Sequence, residues 1–185
     1  MPTDDIDDGQ AVAWWKAEPA RLETDKLEIG QRFPGLIWQD RLDGAVRDAG
    51  GWRGRLPLWP FERAQPPGLS GLGLGLSIEL VYPQAYPMVP PHIYAIEPAP
   101  EPMHLTDHRW HVNGDGSLCL LQQSNQWSGR DTVIDLLLKA AGWRIEFALM
   151  QAELIEAMSE NGIVSTEQLD VLLGYLPSPA TSPTA

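Results

Sequence analysis

One cysteine, Cys119, stands in "HVNGDGSLCLL" (residues 111–121), behind a glycine-rich turn and ahead of an apolar pair. A thiol that is exposed and partly ionised is a nucleophile and can carry an acyl group as a thioester. A turn such as "NGDGS", full of backbone amides and short of bulky side chains, permits that exposure. Nearby lie His108 and His111, either of which could pair with the thiol as a base for hydrolysis. Asn113 has an amide able to donate to a developing oxyanion, and Asp115 has a carboxylate able to orient an attacking amine or take its proton. The same residues have plainer uses. Cysteine is among the most buried residue types and Leu118, Leu120 and Leu121 flank this one, while Asn-Gly and Gly-Asp-Gly are ordinary turn chemistry. Zinc is a third chemistry, since His104 and His108 are four apart and His111 with Cys119 completes a set of four. Against it stand Pro102 and the lack of any Cys-x-x-Cys pair, and the expectation is a loop without metal.

The elements that must position these residues follow from periodicity. "QAVAWWKAEPARLETDKLEI" has Ala, Trp and Leu at helical spacing, with Pro19 breaking or restarting the helix. "GLIWQDRL", "GGWRGRLPLWPFE", "GLGLSIELVYP" and "HIYAIEP" are rich in strand formers and separated by turn residues, which predicts a four-stranded antiparallel meander. Leu72, Leu74, Leu76, Ile78 and Leu80 alternate with small or polar residues, which predicts one strand with its glycines inside it. A phosphate-cradling use of "GLSGLGLG" lacks the Lys-Ser or Lys-Thr pair and the helix it would need. "TVIDLLLKAAGWRIEFALMQAELIEAM" has apolar residues three and four apart, with Asp131 as its cap, and "STEQLDVLLGYL" predicts a last helix with Leu169, Leu172 and Leu173 on one side. The fold class is α+β.

The chain of 185 residues, 43% hydrophobic, suits one domain over residues 10–176, with polar tails over 1–9 and 177–185. One cysteine makes no internal disulfide, and "MPTDDIDDGQ" lacks the basic start and apolar run of a signal peptide, so a cytoplasmic location is expected. The most apolar stretch, 132–150, is interrupted by Asp135, Lys139, Arg144 and Glu146, which argues against a membrane span. A net charge of -12 repels phosphate backbones, so nucleic acid is not an expected partner.

"VYPQAYPMVPPHIYAI" places Pro83, Pro87, Pro90 and Pro91 where each ring fixes φ and removes a donor, so the chain crosses there as a rigid extended loop. This segment, then His111 and Asn113, then "GSLCLL", then Trp127 with "SGRDT", resembles in order the active-site region of ubiquitin-conjugating enzymes, from about Leu76 to Leu138. His111 and Asn113 are similar to that family's His-Pro-Asn motif with Val112 in place of proline, and Cys119 falls on its catalytic cysteine. The loop between Asn113 and Cys119 is shorter than in the family, "EPAPEPMHLTDHRW" is an extra segment, and the C-terminal helices lack the family's proline-rich break. In these respects the chain looks more like the divergent bacterial branch found beside activating enzymes in antiviral defence operons. The resemblance implies the ubiquitin-conjugating fold, with an N-terminal helix, the meander and C-terminal helices. It implies thioester transfer of a ubiquitin-like protein, or the C-terminus of a nucleotidyltransferase, from an activating enzyme through Cys119 to an amine of a protein target, with no cofactor. Asn113 would then donate to the oxyanion or brace the loop. His111, or His108 in its stead, would bond the loop backbone, and Asp115, Gly116, Ser117 and Trp127 would support it. A non-catalytic binding module of the same fold is the structural rival, although such relatives lose the cysteine. Only Lys16, Lys26 and Lys139 are lysines, which would limit self-modification by a lysine-reactive thioester.

Overall fold

Pro19 opens a helix rather than ending one. In the computed structural model, which describes residues 12–42, 49–121, 126–160, 162–164 and 167–176, a single turn α1 (Trp14–Ala17) is followed by α2 (Pro19–Arg32) with proline in its first turn. There its missing N–H costs nothing, because the first helical amides have no intrahelical partner. Ile29, Leu22 and Phe33 carry the buried side of this helix into the core. The expected tails, residues 1–9 and 177–185, lie outside the described residues.

Four strands follow, β1 (Leu36–Gln39), β2 (Gly51–Arg55), β3 (Ser77–Val81) and β4 (His92–Glu97), paired antiparallel in chain order. The register aligns Trp38, Trp52, Leu80 and Ile93 across one face, and Leu36, Gly54, Ile78 and Ala95 beside them. This face meets the helices. On the other face Arg53 pairs with Glu79, with Nε 3.1 Å from Oε2, and Ile37 is exposed, as the two-residue period of a half-buried sheet requires.

The third strand begins later than the Leu-Gly alternation predicts. Leu69–Leu72 is a short 3-10 turn, Gly73 has φ +71°, Leu74 is exposed, and only Leu76, Ile78 and Leu80 are buried. Gly75 lies so close to the preceding chain that a Cβ there would stand 1.9 Å from the carbonyl oxygen of Leu56. Gly75 serves a close backbone crossing and Gly73 a left-handed turn, not a pleated ladder, which a two-residue pattern cannot distinguish.

The long helix α3 (Val133–Gln151) is buried on nearly all sides, with Leu136, Leu137, Ala140 and Phe147 in the core under the sheet and Ile145 and Leu149 against a second cluster. Thr132, and not Asp131, is its N-cap residue; the Asp131 carboxylate accepts instead from the Ser128 amide. The helix stops at Gln151 although the apolar period runs on. Leu154 N–H bonds Leu149 and Glu153 N–H bonds Met150, with Glu153 at φ +56°, the paired closure of a helix C-terminus normally given to glycine. The expected last helix is a 3-10 turn, Asp170–Tyr175, held by i to i+3 bonds, with Leu173 seated on Leu69, Ile145 and Ile163. Arg63 clasps it, with Nε 3.1 Å and Nη2 3.0 Å from the Asp170 carboxylate.

One buried carboxylate joins helix, sheet and proline loop. Asp25 on α2 accepts from Tyr82 Oη and Tyr86 Oη, each at 2.8 Å, and lies 3.3 Å from Arg21 Nε, while Trp52 Nε1 donates to Tyr82 Oη. Arg21 also reaches the Asp131 carbonyl before α3. Burial pushes the Asp25 carboxyl above its ordinary 3.8, against the lowering effect of both tyrosines and Arg21. With the folded value raised, the contribution of this group to stability is fully present below the unfolded value and declines as pH rises through the folded one.

Asp25→Ala should therefore cost about 3 kcal/mol or more in urea unfolding at neutral pH, because two phenols and a guanidinium lose their acceptor. Its stability curve should also lack the decline above the ordinary aspartate range. Glu153→Gly should raise the urea midpoint by the equivalent of about 1 kcal/mol, since glycine adopts the left-handed conformation without steric strain. An unchanged or lower midpoint would contradict the assigned helix end.

Candidate active site

The chain enters the site through a 3-10 turn, His108–Trp110, that closes on His111 in the left-handed conformation, φ 49°. From there "HVNGDGSLC" doubles back on itself. Val112 pairs with Leu118, Asn113 N–H bonds Ser117 O at 2.8 Å, and Cys119 N–H bonds His111 O at 2.8 Å. The return arm hangs on β4, where Leu118 N–H bonds Ile93 O at 2.8 Å and Ser117 pairs with Tyr94. Val112 and Leu118 are buried in the core. Alternation along the two arms then puts residues 111, 113, 117 and 119 on the opposite face. The leucine beside the cysteine is thus the anchor that turns the cysteine outward.

The turn is tied by its own side chains. Gly116 has φ +86°, and its N–H bonds Asn113 O at 2.9 Å. Asp115 Oδ1 accepts from Ser117 N at 2.9 Å and from Ser117 Oγ at 2.6 Å, and Asn113 Nδ2 donates to Ser117 Oγ at 3.0 Å. These bonds hold the Asp115 carboxyl below its usual range, the hydroxyl of Ser117 contributing most. Asn113 is therefore engaged as a loop brace, and donating to an oxyanion would use its remaining N–H or a turn of its side chain.

Cys119 is half-buried and lies where two clefts meet, with Leu120 common to both. One cleft is mainly apolar and carries Pro90, Pro91 and Leu136 with His92 and Asn113. The other is no less apolar in its lining, with Trp143 and Met158, but bears four ionisable side chains, His111, Lys139, Glu146 and Glu160. Burial lowers the His111 pKa from 6.5, which favours the neutral ring, and the charge of Glu160 opposes that shift. Lys139, on α3, donates from Nζ to Leu120 O at 3.1 Å, on the residue next to Cys119. Glu146, also on α3 and buried, accepts from Ser159 N at 2.7 Å and Ser159 Oγ at 2.8 Å, and so fastens the segment after α3 as a wall of this cleft. Burial raises the Glu146 carboxyl against those bonds.

The other candidates are placed elsewhere. His108 is exposed and lines neither of these clefts. His104 is buried as a packing residue, its Nδ1 accepting from Glu101 N at 2.9 Å and its ring 4.2 Å from that of Trp110. The four-ligand set read from the spacing is thus not assembled, and among the described residues no group of three or more His, Cys, Asp or Glu is placed to hold a metal ion. Trp127 reaches the proline loop and not the hairpin, with Nε1 2.9 Å from Pro87 O and its ring 6.4 Å from that of Tyr86. Lys139, Glu146 and Glu160 were not among the residues expected at the site. Nothing local marks them, apart from the scarcity of lysine in the chain.

Asp115→Ala should speed amide exchange at Ser117 about tenfold, the equivalent of one lost hydrogen bond to a charged acceptor. Because the Asp115 pKa is lowered on folding, its contribution is present above the ordinary 3.8 and is lost as pH falls through the folded value, so wild-type Ser117 protection should fall in that acid range. Exchange measured across pH 3 to 7 checks both, and equal protection in the variant would refute the brace. Compared with family models, with curated proteins and with solved structures, the chain gives no match in any of the three.

Proposed function

We propose that this protein carries an activated acyl group as a thioester on Cys119 and transfers it to an amine, in the manner of a divergent ubiquitin-conjugating enzyme. The observation that carries this reading is the position of Cys119: half-buried on a hairpin hung from the last strand of a meander, lining two adjoining clefts. The order of helix, four-stranded meander with a proline-rich crossing before its last strand, cysteine hairpin and long helix is in keeping with the sequence resemblance.

The chemistry balances without a cofactor. The Cys119 thiolate attacks the carbonyl of an incoming thioester, and the donor thiolate leaves. An amine then attacks the new thioester, the C–N bond forms, the C–S bond breaks, and the proton lost by nitrogen ends on the departing sulfur. Thiolate is a better leaving group than alkoxide, so the amide forms downhill. In this reading His111, which lines a cleft with Cys119, takes the proton in passing, and Asn113 keeps the hairpin in shape. The acyl donor is a ubiquitin-like protein or a nucleotidyltransferase C-terminus, delivered by an activating enzyme to reach a protein target. The setting that the bacterial resemblance points to is a cytoplasmic antiviral defence system.

A second reading has one observation in its favour: His111 shares a cleft with Cys119, as a Cys–His hydrolase would need. The two readings separate in one set of assays. With the activating enzyme and modifier from the same genomic neighbourhood and ATP, conjugation predicts an adduct that reductant removes and that Cys119→Ala does not form. Hydrolysis predicts no adduct, and instead peptide cleavage that falls about 100-fold or more in His111→Ala. Failure to form the reductant-sensitive adduct with a partner set shown to be active would overturn the carrier reading.

A further inference from the structure

Lysine is rare in this chain, yet one of the three lysines lies in the cleft that holds the thiol. Lys16 and Lys26 belong to the helical N-terminal part, where Lys26 pairs with Glu23. Lys139 is half-buried on α3, its ammonium 3.1 Å from the carbonyl oxygen of Leu120, and it lines the cleft together with Cys119 and His111. An acyl group on Cys119 would place its carbonyl carbon in or beside that same cleft.

The geometry points to Lys139 as an internal acyl acceptor: an acyl group loaded on Cys119 moves from sulfur to the Lys139 nitrogen, leaving an amide at the rim of the cleft. This rests on the carrier reading above and deepens it by naming an acceptor within the chain. The Lys139 amine, having given up a proton, attacks the thioester carbonyl; the C–N bond forms and the C–S bond breaks. The proton passes by way of His111 or water to the Cys119 thiolate, so that thioester and amine become amide and thiol. Two groups held in one cleft react as an intramolecular pair, which favours Lys139 over a lysine that must arrive by collision. The α3 helix fixes the stem of Lys139, and the bond to Leu120 O holds its nitrogen beside the hairpin arm that bears the thiol.

The probe is the mercaptoethanesulfonate thioester of acetyl-glycyl-glycine, a small acyl donor that exchanges with thiols and needs no activating enzyme. The full chain is incubated with it, excess probe is removed, and intact mass is followed with and without hydroxylamine, which cleaves thioesters and spares amides. Peptide mapping then locates the label. The expected result is a hydroxylamine-sensitive label on Cys119 that converts with time into a resistant one on Lys139. In Lys139→Arg, which keeps a donor for Leu120 O, such Cys119 label as forms should persist about tenfold longer or more. In Cys119→Ala, Lys139 should stay unlabelled. A Cys119 label that persists equally in wild type and Lys139→Arg, or resistant label spread over Lys16 and Lys26, overturns the internal acceptor and leaves the carrier reading standing. Equal labelling of Lys139 in Cys119→Ala overturns the route through sulfur. No label on Cys119 at all overturns both. Mapping of the resistant label is read in wild-type protein, so that arm does not depend on how well a variant folds.

Discussion

Leu118 donates its amide to Ile93 on β4 and buries its side chain, and the placement of the thiol follows from that one attachment. A strand-like arm alternates its side chains, so fixing residue 118 inward fixes residue 119 outward. The partner arm is held in the same way by Val112, which pairs with Leu118 and is equally buried. An apolar residue next to a cysteine normally suggests a fully buried thiol; here the thiol is half-buried and lines two clefts. The hairpin is in effect a short extension of the sheet edge, and its precision derives from the sheet.

The sheet and the proline loop are in turn held to the helices through Asp25. A buried carboxylate shared by Tyr82, Tyr86 and Arg21 gains specificity more than stability, because its desolvation offsets much of what the hydrogen bonds contribute. Its geometry defines where the chain leaves β3, since Tyr82 and Tyr86 bracket the start of the "YPQAYP" crossing. Trp127 then fastens the far side of that crossing through the Pro87 carbonyl. These contacts set the apolar wall beside Cys119, in which Pro90 and Pro91 need no hydrogen-bond donors of their own.

The wall with the ionisable side chains has a different origin. It depends on α3 ending where it does, since the left-handed Glu153 releases the chain to run back past the helix, and Glu146 then captures Ser159. The same helix supplies Lys139 from its outer turns. The two walls thus draw on different elements, one chiefly on sheet and proline loop and the other on α3 and the chain after it, although Leu136 of α3 also lines the first. A ligand spanning both would touch each wall, with Cys119 between them.

Periodicity and turn chemistry in the sequence were enough for the order of elements, the α+β class, the meander, the restart of the helix at Pro19 and the turn before Cys119. They misjudged the Leu-Gly run, the cap at Thr132, the end of α3 and the 3-10 character of the last segment. Two of these depend on a distant partner, the Leu56 carbonyl beneath Gly75 and the cluster around Leu173, while the cap and the end of α3 turn on local bonds that periodicity does not register. What the sequence by itself determined was local, because proline φ, glycine freedom and strand or helix period act within a few residues. What the tertiary structure alone decided was the company of the sulfur. Lys139, Glu146 and Glu160 reach the cleft only because α3 and the chain after it pack against the hairpin, and side-chain packing between elements far apart in sequence leaves no periodic trace.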